Sequence, residues 1–369
     1  MKTIVQILVA ALFSVLLFFA FWYGRSYEVK PVSAQGKTTT IGVILVGPVR
    51  DGGWSEAHYN SFEAIRQRMN LNVLYRESVN TQDGSVLRVI DELVRDKAEM
   101  IFVLSFSYGQ HLQESVKKYP GVKFFHAAGV VQGPNLATYF GRIYQARYLS
   151  GIVAGMQSKT GHIGFVGAHP IAEVVQGINA FTLGVRSVNP QATVHVAWTG
   201  SWYDPVAEKR EAERLFDSHP IDVMAQHQDT TIPVEVAKSR GAYAIGYHLD
   251  HSADFPETFL TAPVWNWGAF YTERLNECFE GRFAGKNYLE SIETGMVDIA
   301  PLTAIVAPGT QEAVEKARKR LLSRTWDVFY GPVFDQQGNL RIGRGENISD
   351  DELLARFDWF VEGVDGKIK

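Results

Sequence analysis

"TIGVILVGPVRDGGWSEAHYNSF", residues 40–62, decides how the chain is read. From Ile41 to Val46 no polar side chain interrupts the run, as a strand requires when helices cover both faces of a parallel sheet. A turn marked by proline and glycines follows, and then Phe62, Ile65 and Met69 recur at helical spacing. The unit repeats. "NVLYRE" (72–77) reads as a second strand, and Val86, Ile90, Leu93 and Val94 mark a second helix. "MIFVLS" (100–105) and "VKFFHA" (122–127) are further strands, with a helix around His111–Lys118 between them. Such alternation predicts an α/β fold with a doubly wound, mostly parallel sheet and helices on both faces.

After "NLATYFGRIYQARYLSGIVAG" (135–155) the pattern starts again. "HIGFVG" (162–167), "TVHVAW" (193–198), "DVMAQ" (222–226) and "YAIGY" (243–247) read as strands. Ile171, Val174, Val175, Ile178 and Val185 trace one helix, and others fall near Asp204–Phe216 and Pro233–Arg240. Two lobes are expected, one from residues 38–145 with about 266–290 and the other from 146–265 with about 298–369. Sheets of this kind bind ligands at the carboxyl ends of their strands, so facing lobes make a cleft. In the tail a helix is expected near Thr310–Ser323, and another opened by the capping-box pair Ser349 and Glu352. Leu353, Phe357, Phe360 and Val361 would lie along one face of that last helix as core.

The 369 residues suggest about two domains, and 46% hydrophobic with 21% charged residues is a globular composition. A net charge of -4 with no basic stripe argues against a nucleic-acid partner. Cys278 is the only cysteine, which excludes an intramolecular disulfide and a thiolate metal cluster. The first 34 residues place a lysine ahead of an apolar run from Ile4 to Tyr23 and end in "PVSA". They fit an export signal cleaved after Ala34; uncleaved, the run is long enough to anchor the chain in a bilayer. Either outcome leaves the remainder outside the cytoplasm, periplasmic or otherwise extracytoplasmic.

Residues just past each strand are the ones that would line a cleft. After the first come Asp51, two glycines and Trp54: glycine lets the backbone approach a ligand, and Asp51 adds an acceptor. A capping aspartate beside a packed tryptophan is the other reading. "SFSYGQ" (105–110) offers Phe106, "TGSWYDP" (199–205) offers Trp202, and "HQDTT" (227–231) offers Gln228 and Asp229. "YHLDHSAD" (247–254) contributes Asp250, and "TAPVWNWGAF" (261–270) sets Trp265 and Trp267 around Asn266. In a strand both indoles would share one face; at a cleft mouth one would stack on a flat ligand while Asn266 reads its edge.

Aromatics mixed with amides and carboxylates suit a flat, neutral, hydrogen-bonding ligand better than a sugar phosphate, which calls for arginines. The expected site has Trp54 and Trp202 as opposed stacking surfaces, with Trp267 or Phe106 next. Asp51, Gln228, Asp229, Asp250 and Asn266 would read the edge. No G-x-S-x-G elbow, P-loop or G-x-G-x-x-G fingerprint is present, so a binding protein is expected rather than an enzyme. His248, Asp250, His251 and Asp254 meet no recognised ligand spacing, so neither metal nor cofactor is expected. Asp229 and Asp250 activating water on a nucleoside is the enzymatic alternative.

These loops resemble the basic membrane protein family of ABC-transporter substrate-binding proteins, which includes purine nucleoside receptors. The resemblance runs from about Thr39 to Gly366. It is carried by "DGGWSEAHYNSF" (51–62), "GRIYQARYLSGIVAG" (141–155), "AIGYHLDHSA" (244–253), "YGPVFDQQGNL" (330–340) and "WFVEGV" (359–364). It implies a two-lobed type I periplasmic binding protein, a monomer that delivers its ligand to a membrane permease. A purine would sit between aromatic rings of the two lobes, its ribose held by an aspartate and a lysine. Asp51 and Trp54 match the family pattern, Ser55 stands where asparagine is usual, and His248 replaces the first aspartate of a D-x-D turn whose second is Asp250. The lysine that the family places near Trp265–Trp267 is missing, which points to a free base over a nucleoside. A nucleoside receptor and a membrane-tethered sensor are the remaining alternatives.

Overall fold

The computed structural model describes residues 37–368, so the N-terminal apolar run and its cleavage site lie outside the described residues. The first sheet holds β1 (Thr39–Leu45), β2 (Leu71–Arg76), β3 (Met100–Leu104), β4 (Lys123–Ala127) and β5 (Leu136–Gly141). Its helices are α1 (Trp54–Arg66), α2 (Ser85–Arg95) and α3 (Gly109–Lys118). Through α4 (Ile143–Gln157) the chain enters a second sheet of β6 (His162–Gly167), β7 (Thr193–Trp198), β8 (Val223–His227), β9 (Tyr243–Ile245) and β10 (Phe259–Thr261). Here α5 (Ala172–Val188), α6 (Pro205–Ser218) and α7 (Ile232–Ser239) make the crossovers.

Both sheets are parallel and share one order, with the second strand outside the first and the third, fourth and fifth following on its other side. This is the doubly wound α/β class that the sequence predicts. Later segments return to complete each lobe. After β11 (Pro263–Trp265) and α8 (Trp267–Phe279), β12 (Asn287–Glu290) joins the first sheet beside β5. β13 (Val297–Ile299) pairs antiparallel with β11, and α9 (Thr310–Leu322) follows. The chain then runs through β14 (Val333–Phe334), β15 (Leu340–Ile342) and α10 (Asp350–Ala355) to β16 (Val364–Asp365), which extends the second sheet beside β7. Among the described residues no helix is long and apolar enough to cross a membrane.

The unbroken apolar strands have a direct cause. Ile41, Val43 and Leu45 of β1 face a core shared with Phe62 and Ile65 of α1, while Ile44 faces another with Val86, Ile90 and Leu93 of α2. In the second lobe, Phe165 and Ala225 face one way and Val166 and Met224 the other. All but one position on each of β1 and β6, and every position on β8, are buried, so the alternation of a half-exposed strand is absent.

The last helix is shorter than its apolar spacing predicts. Ser349 caps it by accepting from the Glu352 N–H, but it ends at Ala355. Phe357 and Phe360 are buried beyond its end, in a segment tied to α5: Asn179 donates to the Trp359 carbonyl at 2.8 Å and accepts from the Val361 N–H at 3.0 Å. Pairing with distant backbone outweighs local helical periodicity there.

Helices α4 and α5 pack with their backbones close together. A methyl group on Gly151 would strike the Phe181 carbonyl, and one on Gly184 would strike that of Tyr148. We expect Gly151→Ala to destabilise the protein by about 3 kcal/mol, since both partners are rigid helical backbone. Urea unfolding of the variant measures this, and an unchanged midpoint would contradict it.

Candidate functional site

Between the lobes lies a narrow cavity of about 30 Å³. The first lobe contributes Val46, just past β1, Trp54 at the start of α1, Ser105 and Phe106 past β3, and Ala128 past β4. The second contributes Glu173 in the first turn of α5, Trp202 past β7, His227 and Asp229 at the end of β8, and His248 past β9. These are the carboxyl ends of the central strands, where the winding of each sheet reverses and leaves a crevice.

Trp54 is held in place by its own polar atom. Its indole N–H donates to the Leu104 carbonyl at 2.9 Å, and its ring meets His58 edge-on at 4.4 Å. Trp202 is half-buried and rests edge-on against His169 at 5.0 Å. Its carbonyl accepts from the Asp229 N–H at 3.0 Å, which fixes the loop to the strand end. Phe106 is 44% exposed.

A relay of hydrogen bonds runs from the cavity to Trp265. Trp265 donates its indole N–H to His248 Nδ1 at 3.1 Å, and an indole nitrogen can only donate. His248 therefore carries its proton on Nε2 and donates it to Asp229 Oδ1 at 3.1 Å. Burial holds the His248 imidazole far below its ordinary value, so it stays neutral. Burial also raises the Asp229 carboxyl well above the usual range, reinforced by the charges of Asp51, Glu208 and Glu173. Burial lifts Glu173 to about 7, against the opposing pull of Arg147.

Arg147 is fully buried beneath these groups, donating to the Gln226 carbonyl at 2.7 Å with its guanidinium 3.7 Å above the Tyr247 ring. Burial lowers it to about 10, which leaves it a cation at neutral pH. The lining thus offers two carboxyl groups that take up protons readily. Each can donate or accept a hydrogen bond.

A raised carboxyl is also a term in stability. In the folded protein Glu173 holds a proton that the unfolded chain gives up near its ordinary value of 4.5, so stability falls as pH rises from there to about 7. Glu173 keeps 18% of its side chain exposed, which softens the effect. We expect the wild type to lose about 2 kcal/mol relative to Glu173→Gln between about pH 5 and about pH 8, followed by urea unfolding. Parallel profiles for the two proteins would refute the assignment.

The other residues expected from sequence lie elsewhere. Asp51 caps α1: it accepts from the N–H groups of Gly53 at 2.9 Å, Ser55 at 2.8 Å and Glu56 at 3.0 Å, and it does not line the cavity. Gln228 is buried, donating to Thr199 at 2.9 Å. Asp250 is exposed and accepts from the Ser252 N–H at 2.9 Å. Asn266 is exposed at the start of α8.

Trp267 is fully buried in the first lobe, stacked on Trp265 and on His58 at 4.4 Å each. The two indoles of "VWNWG" do share one side, but that side is core: both back Trp54 edge-on, at 5.9 and 5.4 Å, and Trp265 also reaches His248. Glu173, His227, His248, Ser105, Val46 and Ala128 also line the cavity and are not among the ligand contacts expected from sequence. The loop "GAHPIAE" (167–173) after β6 carries Glu173, and attention to the residues past each strand applies there as elsewhere.

The lobes meet at this edge. His251 Nε2 donates to the Gly52 carbonyl at 2.9 Å, and a side chain on Gly53 would begin 2.5 Å from the Asp229 carbonyl oxygen. The two glycines before Trp54 let the lobes touch.

Comparison with known proteins bears on what such a cavity holds. Residues 38–326 match a family described as ABC transporter substrate-binding protein, PnrA-like. A purine-binding protein of Brucella abortus is 35% identical over 329 residues, covering 89% of this chain and 93% of that one. A putative ABC transporter glucose-binding protein of Haloferax volcanii is 32% identical over 336 residues, covering 91% and 82%. Among solved structures, an ABC transporter solute-binding protein from Conexibacter woesei superposes with a TM-score of 0.65 at 19% identity, over 78% of this chain and 98% of that one. One from Aeropyrum pernix reaches 0.64 at 19% identity, over 78% and 87%. At these identities the solved structures speak to fold, which is that of two-lobed type I binding proteins.

Proposed function

The chain belongs to the PnrA-like family of ABC transporter substrate-binding proteins, and from that premise we propose that its ligand is a free purine base or a closely similar flat heterocycle. The observation that carries this reading is the pairing of Trp54 and Trp202, one from each lobe, on a single narrow cavity edged by Asp229 and Glu173. Stacking a base on an aromatic ring contributes about 1–3 kcal/mol per ring. Carboxyl groups that exchange protons readily suit a ring whose edge alternates donors and acceptors. No lysine or arginine is among the described lining residues, which leaves a ribose without a cationic partner and favours a base over its riboside.

In this reading Trp54 and Trp202 stack on the ring, Phe106 covers it, and Asp229, Glu173 and Ser105 read its edge. Asp51, Gln228, Asp250, Asn266 and Trp267 make no contact with the ligand in this reading. The lobes close as two bodies, residues 38–145 with about 266–290 and 146–265 with about 298–369, and closure is the signal read by an ABC permease. The protein works outside the cytoplasm as a monomer and carries out no chemical step.

Calorimetry with adenine, guanine, xanthine and uric acid, their ribosides and glucose tests the proposal. A base should bind with at least micromolar affinity, about -8 kcal/mol, and its riboside at least about tenfold more weakly. Tighter binding of a riboside or of glucose, or cleavage of a riboside to base and ribose, would overturn it.

A further inference from the structure

At the end of the second sheet away from the cavity, three histidines and an aspartate come together. His162 opens β6, His195 lies in β7, Asp365 pairs with His195 from β16, and His219 follows the last turn of α6. The strands are parallel, so these positions share the sheet's amino end while the ligand cavity lies at its carboxyl end. His195 is buried, with Nδ1 2.8 Å from an Asp365 carboxylate oxygen and Nε2 2.9 Å from His162 Nδ1. The His219 ring stacks on that of His195 with centroids 3.7 Å apart. One ligand atom from each of His195, His219 and Asp365 falls within 4.8 Å of the other two.

We propose that His195, His219 and Asp365 bind one zinc ion, with water completing the coordination. Two imidazoles and a carboxylate are a donor set that zinc accepts in three-ligand sites, with metal–ligand bonds of about 2.0–2.2 Å. Tetrahedral bonds of that length place donor atoms about 3.3 Å apart. The movement falls on His219, half-buried at a helix end, which must tilt out of its stack on His195, and on Asp365, exposed on an edge strand. His195 coordinates through Nδ1, its proton moves to Nε2, and Nε2 donates to His162 Nδ1. A partner behind a ligating imidazole fixes both ring and tautomer, so His162 is a positioning residue. The ion ties β16 to β7 and to the start of the segment leading into β8.

The test uses the exported chain without a metal-affinity tag, stripped with a chelator and titrated with zinc alone. One ion should bind per chain with micromolar or tighter affinity. Cobalt in its place should give the intense visible absorption of a low-symmetry, four-coordinate site. His219→Ala and Asp365→Asn should each weaken zinc by at least about tenfold and abolish that absorption, and His162→Ala should weaken it by about tenfold. Circular dichroism melts check that each variant is folded. Absence of uptake by the wild type, or equal uptake by the folded H219A/D365N double variant, would overturn the proposal. Neither result depends on which ligand occupies the cavity.

Discussion

Trp202→Ala should weaken binding of the preferred base by about ten- to a hundredfold, the range expected for losing one stacking surface. The side chain is half-buried, edge-on to His169 with His227 6.0 Å away, so the unliganded protein should lose far less stability than Trp54→Ala. Trp202→Phe, which keeps a ring, should recover most of the affinity. Trp54→Ala makes an informative contrast. That indole is 8% exposed, donates to Leu104 and contacts His58 and Trp265, so its removal should cost about 3–5 kcal/mol of stability as well as affinity. Calorimetry and urea unfolding on both variants separate a ligand surface from a core support. Wild-type affinity in Trp202→Ala would end the stacking model.

The second large effect is expected at a residue with no side chain. Gly53 lies against the backbone of Asp229 across the interlobe boundary, and an added methyl would begin 2.5 Å from a carbonyl oxygen. In the lobe motion proposed above, that contact is made on closing. Gly53→Ala should therefore leave the stability of the unliganded protein nearly unchanged while weakening ligand by about tenfold or more. Small-angle scattering with saturating ligand should show the variant more extended than the wild type. Wild-type affinity and compaction would mean that closure does not require this approach.

Much of the architecture was legible in the sequence because burial on both faces leaves a mark in every strand. Ile41 through Leu45 needed no partner to be recognised. The ligand side was harder, for reasons that particular residues make plain. Asp51 could have accepted from a ligand or from the N–H groups of its own helix; both want the same lone pairs, and only the fold reveals that Gly53, Ser55 and Glu56 take them. Trp265 and Trp267 follow a two-residue alternation that suits a cleft wall and a core equally well. Glu173 gains its proton affinity from burial, a property of tertiary structure with no local signature. His195, His219 and Asp365 come from segments so far apart that no ligand spacing exists to be read.

The two late-arriving strands carry a consequence for how this polypeptide matures. The outer edge of β5 waits for Asn287 to reach Thr138, and that of β7 waits for Val364 to reach Val194. Five consecutive strands can pair early in each half, but neither sheet is complete until its sixth strand arrives, so the last step of each waits on a distant pairing and should be slow.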